Sequence, residues 1–213
     1  MAMKFCVIGV GRFGYAVATT LANRGMEVLA VDSDEQIIES IKDLVSHAIC
    51  MEITNEESLV SLGLDDMTAI IVAVGEHFDQ SILITALLKQ NLKFPRVIVR
   101  SISDMHKKIL KLIGADQIIL PEQEIGTLLA DNLSLRFESL AIITPQFSIS
   151  KVEAPKKFVG KALAAIHDQF HVVCIGKESD GEFMPIEPKY VIKEADILLL
   201  SGSNKDLDKI SKL

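Results

Sequence analysis

The sequence predicts an α/β protein: a doubly wound parallel sheet over residues 1–138, followed by a second, smaller α+β domain over residues 139–213. Short apolar runs alternate with helix-period segments through the first part, which is the pattern of a parallel sheet with helices on both faces. A glycine-rich turn, GVGRFG at residues 9–14, joins the first apolar run to the first helical segment. Past Phe137 the rhythm changes to closely spaced strand-like runs punctuated by Pro145, Pro155, Pro185 and Pro188, so the boundary falls between residues 138 and 146.

Residues 4–9 (KFCVIG) read as the first strand, and residues 12–24 as a helix with Phe13, Val17 and Leu21 at helical spacing. Gly25 closes that helix, and residues 27–31 (EVLAV) form a second strand that leads into Asp32. The alternation continues with helix 35–44, strand 47–50, helix 56–62, strand 69–74, helix 78–90, strand 96–100, helix 105–113 and strand 117–120. Pro121 suits the first position of a further helix. Glu122 and Glu124 complement its N-terminal dipole, and Ile125, Leu128, Leu129 and Leu133 draw an apolar stripe along it. Beyond it, residues 141–144, 147–153, 171–176, 182–186 and 196–202 read as strands, with one helix at 161–167.

Composition narrows the function classes. A chain of 213 residues with 49% apolar content can build its core without disulfides or a structural metal. Mean hydropathy is +0.32, yet the longest uncharged runs fall short of the ~20 apolar residues of a membrane span. Direct membrane insertion is therefore excluded. A net charge of −7 and a pI near 5.3 give no positive field to attract nucleic acid. Cys6, Cys50 and Cys174 lie far apart, with no CxxC pair and no leader-like segment, and read as reduced, buried thiols of a cytoplasmic protein.

Gly9, Gly11 and Gly14 satisfy GxGxxG directly after a strand and at the mouth of a helix. Gly9 permits the tight turn, Gly11 leaves room for a diphosphate, and Gly14 lets the helix pack close to the strand. Asp32 follows Gly14 by 18 positions, close to the ~20 expected of a ribose-binding acid. A carboxylate there accepts from both ribose hydroxyls and repels a 2′-phosphate, so the leading ligand is an adenosine-type nucleotide other than NADP. Arg12 tilts the choice toward ADP or ATP over NAD, because a guanidinium beside this helix end suits a terminal phosphate; a solvated helix-start arginine is the plain alternative. Arg100 ends a strand on the edge where ligands collect, and is read equally well as a surface arginine. Glu122 and Glu124 serve as helix-capping charges or, more sharply, as metal ligands. HExxH, GxSxG and GxxxxGK[ST] are missing from the sequence, and neither Tyr15 nor Tyr190 has a lysine four positions later. A small NAD-dependent oxidoreductase remains the enzyme-class alternative.

With the GVGRFG loop, Asp32 at the end of LAVD, the segment MEITNEESLVSLGL, the strand AIIVAVGE and the passage IGADQIILPEQEIG all in order, the chain resembles the regulatory subunits of Ktr/Trk-type potassium uptake systems. These are proteins of RCK (regulator of conductance of potassium) domains. The resemblance implies a Rossmann-like RCK N-terminal domain over residues 1–138 and an RCK C-terminal domain over 139–213. It also implies a cytosolic, non-enzymatic subunit whose homodimers assemble into a homo-octameric ring on a membrane-embedded potassium-translocating subunit. ATP and ADP, or NAD and NADH in some relatives, would set the shape of the ring. By position, Gly9, Val10, Gly11, Arg12, Phe13 and Gly14 would hold phosphates, with Arg12 reaching the γ-phosphate. Asp32, with Ser33 and Asp34, would hold the ribose, and Glu52, Ile53, Thr54, Val74 and Gly75 the adenine side. Arg100 would take the basic position at the fifth strand's end. Glu122 matches a glutamate that can hold a divalent cation, magnesium or calcium, beside ATP phosphates at the dimer interface. Where relatives often read Gly-Asp-x-Thr, this chain has Met51, Glu52, Ile53 and Thr54. Some relatives bind cyclic di-AMP through an arginine near the position of His167, which leaves that ligand open here.

Overall fold

Lys4–Ile8 (β1), Glu27–Asp32 (β2), His47–Cys50 (β3), Ala69–Val72 (β4), Val97–Arg100 (β5) and Gln117–Ile119 (β6) form one six-stranded sheet in the order β3-β2-β1-β4-β5-β6. The computed structural model describes residues 3–75, 77–134, 138–144, 146–179 and 181–213; Glu76, Phe137 and Pro145, which the sequence reading used, lie outside the described residues. All five pairings are parallel, with Cys6 of β1 beside both Leu29 and Ile70. Parallel pairing follows from the connections, since a helical crossover returns the chain to the same end of the sheet.

The crossovers are Arg12–Asn23 (α1), Glu35–Ile41 (α2), Glu56–Val60 (α3), Phe78–Ala86 (α4) and Asp104–Ile113 (α5). Side chains alternate across the strands and so build two cores. Cys6, Ile8, Leu29, Val31, Ile70, Val72, Val97 and Val99 pack with Leu59, Ile84 and Leu110 from α3, α4 and α5. Val7, Val28, Ala30, Ile71 and Ala73 pack with Ala18 and Ile41 from α1 and α2. Burial on both faces is why the strands read as continuous apolar runs. The strand order runs outward in opposite directions from β1 and β4, which opens a crevice over their C-terminal ends.

The expected single helix 78–90 differs in detail. After Ala86 it widens into a π turn, Leu87–Asn91. Three groups outside that turn bond to it: the nearby Phe94 carbonyl accepts from Lys89 at 2.9 Å, the Ile113 carbonyl from Gln90 at 2.6 Å, and Glu56 from Asn91 at 2.7 Å.

The chain divides into two compact units, Met1–Glu124 and Ile125–Leu213, and the division falls inside the helix Pro121–Ser134 (α6). In the second unit Glu138–Thr144 (β7), Phe147–Glu153 (β8), Val173–Ser179 (β9), Glu182–Met184 (β10) and Ile197–Ser203 (β11) form an antiparallel sheet in the order β10-β9-β11-β8-β7. Its core gathers Val152, Phe158, Ile166, Leu198, Leu200, Leu207 and Ile210, the last two from Asn204–Ser211 (α8). The helix expected at 161–167 is Ala164–Phe170 (α7). A 3-10 turn at Lys156–Phe158 and a bridge between Ala162 and Val191 occupy the chain before it and delay its start.

One of the three cysteines expected to be buried is not. Cys6 is buried and Cys174 partly so, but Cys50 is exposed because it ends β3, the edge strand of the parallel sheet.

Candidate functional site

The site begins where β1 runs out. Gly9 turns the chain at φ +87°, and a Cβ there would stand 2.8 Å from the Val74 nitrogen. At Gly14 a Cβ would lie 1.9 Å from the Gly9 carbonyl oxygen, so α1 packs directly on the turn. Gly11 is the opposite case, with nothing within 4 Å of its Cβ position. It is also the N-cap of α1, which has no side-chain cap and no acidic residue in its first turn. The first N–H groups of the helix are thus left for an anion to satisfy.

Asp32, at the end of β2, accepts from the Val10 N–H at 2.6 Å and from the Asp34 N–H at 3.0 Å. Its carboxylate is clipped between the glycine turn and the start of α2, with lone pairs left over for hydroxyl donors. Asp34 caps α2 by accepting from the Gln36 N–H at 2.8 Å. Val10 is buried, so it offers the site its backbone rather than its side chain.

A cleft of about 870 Å³ brings together Gly9, Gly11, Arg12, Phe13, Asp32, Ser33, Asp34, Ile53, Val74, Gly75, Arg100 and Glu122. Val10, Gly14, Glu52 and Thr54 are not among its lining residues. Past β3 the side chains alternate: Met51 and Ile53 turn into the cleft while Glu52 and Thr54 are exposed. Sequence reasoning missed Ile8, Val31, Ile37, Met51, Ala73, His77, Gln80 and Ile84, which also line it. Several of these were findable. Ile8 ends β1, Val31 is the last residue but one of β2 and Ala73 follows β4, all at the C-terminal edge that carries the ligand in such sheets, and His77 and Gln80 lie at the start of the helix after β4.

The two cleft arginines differ. Arg12 is exposed and forms no ion pair among the described residues. Arg100 is braced on three sides. Its Nη2 donates to Glu122 Oε1 at 2.5 Å, and its Cζ stands 5.8 Å from the centroid of the Phe13 ring. A Cβ on Gly75 would lie 2.4 Å from its Nη1, so the guanidinium lies close over the Gly75 backbone. Its Nε is buried without a partner. Glu122's own backbone N–H, and then Arg100, hold the Glu122 carboxyl below its ordinary value. Among the described residues no group of three His, Cys, Asp or Glu side chains could hold a metal ion, and Glu122 is already bonded to Arg100. These donors do not make a resident cation site within one chain.

The TrkA-N domain profile matches residues 5–121. The chain belongs to the TrkA-N domain family. It is 32% identical over 217 residues to the Ktr system potassium uptake protein C of Bacillus subtilis (strain 168), covering 100% of this chain and 97% of that one. It is 33% identical over 213 residues to the Ktr system potassium uptake protein A of the same organism, covering 97% and 94%. Among solved structures, the GsuK channel bound to NAD superposes with a TM-score of 0.66 at 16% identity, covering 99% of this chain and 40% of that one. The same channel bound to ADP gives 0.53 at 21% identity, covering 62% and 34%. These likenesses show the fold; this chain spans less than half the length of the channel.

Along the TrkA-N cleft the polar groups fall into three parts. Asp32 and its neighbours offer acceptors at the end of β2, the uncapped start of α1 offers N–H donors beside the ends of β1 and β4, and Arg100 with Glu122 carries charge at the end of β5 and the start of α6. Acceptors suit ribose hydroxyls, aligned N–H groups suit a phosphate chain, and guanidinium suits a terminal phosphate.

Proposed function

We propose that this chain is a nucleotide-sensing regulatory subunit of a Ktr-type potassium uptake system, with ATP and ADP as the ligands of its TrkA-N cleft. The single observation that carries the ligand assignment is the open, uncapped start of α1 at Gly11, flanked by Asp32 on one side and by Arg12 and Arg100 on the other. The full-length likeness to two Ktr uptake proteins favours a regulator over the oxidoreductase alternative and supports a membrane-embedded potassium-translocating subunit as the partner. No helix among the described residues is long and apolar enough to cross a membrane. The chain would act from the cytoplasmic side, as homodimers assembled into an octameric ring, with residues 1–138 sensing nucleotide and residues 139–213 forming the RCK C-terminal domain.

The proposed mechanism is a population shift. ATP and ADP share the adenosine and diphosphate contacts, and an affinity common to both shifts no equilibrium. Only groups that meet the γ-phosphate discriminate, and Arg12 is the cleft cation without an ion-pair partner among the described residues. A tenfold preference is ~1.4 kcal/mol, within reach of one charge-assisted arginine–phosphate contact. A divalent cation, magnesium or calcium, would be held jointly by Glu122 and the ATP phosphates at the dimer interface, since one carboxylate alone supplies too few donors. Titration calorimetry tests the reading: Arg12→Ala should cost ATP more than ADP and bring the two affinities together, whereas equal losses would remove Arg12 from the γ-phosphate. Thermal melting with ATP, ADP and NADH tests the ligand class, because a ligand at ~100 times its Kd adds ~2.7 kcal/mol of apparent stability.

A further inference from the structure

Arg100 and Glu122 stand where the second half of a dinucleotide has to pass. The ribose-side acid, Asp32, ends β2, and the glycine turn follows β1, so a ligand laid along the strand ends moves from β2 across β1 toward β4 and β5. A nucleoside diphosphate ends near the turn. A dinucleotide continues, and its second ribose and base must lie over the ends of β4 and β5, where Gly75 follows β4 and Arg100 closes β5.

That half of the cleft is lined by a held side chain, Arg100. Arg100 is only 19% exposed. Its guanidinium lies on the Gly75 backbone, faces the Phe13 ring at 5.8 Å, and is tied to Glu122 at 2.5 Å. We propose that the braced Arg100–Glu122 pair makes this cleft selective for adenosine di- and triphosphates against dinucleotides. The inference rests on the nucleotide reading given above and sharpens it to a ligand class.

The chemistry runs the same way as the sterics. The γ-phosphate of a triphosphate, which extends beyond the turn, would offer Arg100 an anion in exchange for the Glu122 carboxylate, in the same charge-assisted geometry, beside a buried Nε that has no partner. The second nucleoside of NAD or NADH offers no such anion. To enter, it must break the ion pair and lift the guanidinium off Phe13, leaving both charges without partners. The oxidised nicotinamide ring adds a positive charge of its own, so Arg100 opposes NAD more strongly than NADH. Glu122 acts here as a positioning residue, holding the guanidinium in place.

The test is titration calorimetry on the full chain with ADP, NAD and NADH, for wild type, Arg100→Ala and Glu122→Gln, each checked by thermal melting. Arg100→Met, which keeps the packing of the stem on Phe13, replaces the alanine variant if that one does not fold. Wild type should bind ADP more tightly than NAD. Removing the guanidinium should raise the NAD-to-ADP affinity ratio at least tenfold, and the NADH-to-ADP ratio by less. Glu122→Gln should shift both ratios in the same direction and more weakly, an effect that a merely structural role would not produce. An unchanged ratio in the Arg100 variants, with ADP still bound by wild type, overturns the selectivity inference alone. A wild type that binds neither ADP nor NAD overturns the nucleotide reading with it.

Discussion

At the scale of single residues, the glycines of the turn carry separable tasks. A methyl group at Gly14 would stand 1.9 Å from the Gly9 carbonyl oxygen, a backbone atom that cannot step aside without moving the turn. Gly14→Ala should therefore destabilise the fold by about 3 kcal/mol or more, seen as a lower Tm in calorimetry. Gly11 has a backbone that alanine also adopts, φ −63° and ψ −174°, and open space at its Cβ position. Gly11→Ala should keep stability within about 0.5 kcal/mol and instead weaken ADP binding, because the methyl group enters the cleft where a diphosphate would approach. Comparable Tm losses in the two variants would show that the turn works as one steric unit. The cysteines separate in the same way. Burial pushes the Cys6 thiol up to about 12 and the Cys174 thiol up to about 11, whereas Cys50 is exposed. Alkylation followed by peptide mass mapping should label Cys50 first and Cys6 last, since the thiolate is the reacting form.

Individual elements depend on local signals and on distant partners to different degrees. In the second unit Asp196 gathers the residues that lead into β11. It accepts from the Tyr190 hydroxyl and the Lys193 N–H, both at 2.8 Å, and from Lys177 of β9 at 3.4 Å. Burial pushes the Asp196 carboxyl up, but the Lys193 N–H, Tyr190 and Lys177 outweigh it and leave the group below its ordinary value. A carboxyl depressed on folding stabilises the native state above its unfolded pKa, ~3.9, and that contribution is lost as pH falls through the folded value. Asp196→Ala should cost about 2 to 4 kcal/mol near neutrality and flatten the acid limb of a stability profile taken by denaturant unfolding. A wild-type profile already flat below pH ~4 would exclude the carboxylate as the acid-sensitive link. None of this network was legible in the sequence, because its members come from β9, a turn and the approach to β11. The parallel sheet was legible, since each strand carries its own apolar run and each crossover its own period. The π turn after Ala86 was not, because it depends on Glu56, Phe94 and Ile113. α8 was missed although a local signal existed: Ser203 accepts from the Asp206 N–H at 3.2 Å as an N-cap, and Leu207 and Ile210 are buried at helical spacing. In the site, GxGxxG and Asp32 announced the glycine turn and the acid at the end of β2, whereas the Arg100–Glu122 pair joins residues 22 positions apart on separate elements.

For the whole molecule, the apolar surplus is absorbed by two cores around the parallel sheet and one in the second unit, yet a stripe remains outside them. Along α6, Ile125 is 63% exposed, Leu129 57% and Leu133 79%. Steps of four residues set them on one helix face. Fully burying such a side chain is worth about 1.5 to 3 kcal/mol, so a face of this size contributes materially to self-association while leaving the ~4 to 15 kcal/mol cost of association to be met partly by other surfaces. Charge works against assembly, because each copy carries −7. An oligomer held by apolar faces and opposed by like charge should tighten as salt screens the repulsion, the reverse of an assembly held by exposed ion pairs. Light scattering after size exclusion should thus show wild-type mass held or raised between about 0.1 and 0.5 M salt, over which the Debye length falls from ~10 Å toward ~4 Å. Leu129→Glu places a charge in the middle of the stripe and should shift the distribution toward smaller species, with unchanged circular dichroism because the position is exposed in the single chain. A wild-type chain that runs as a monomer at every salt concentration would remove α6 as a contact between copies, and the octameric ring with it.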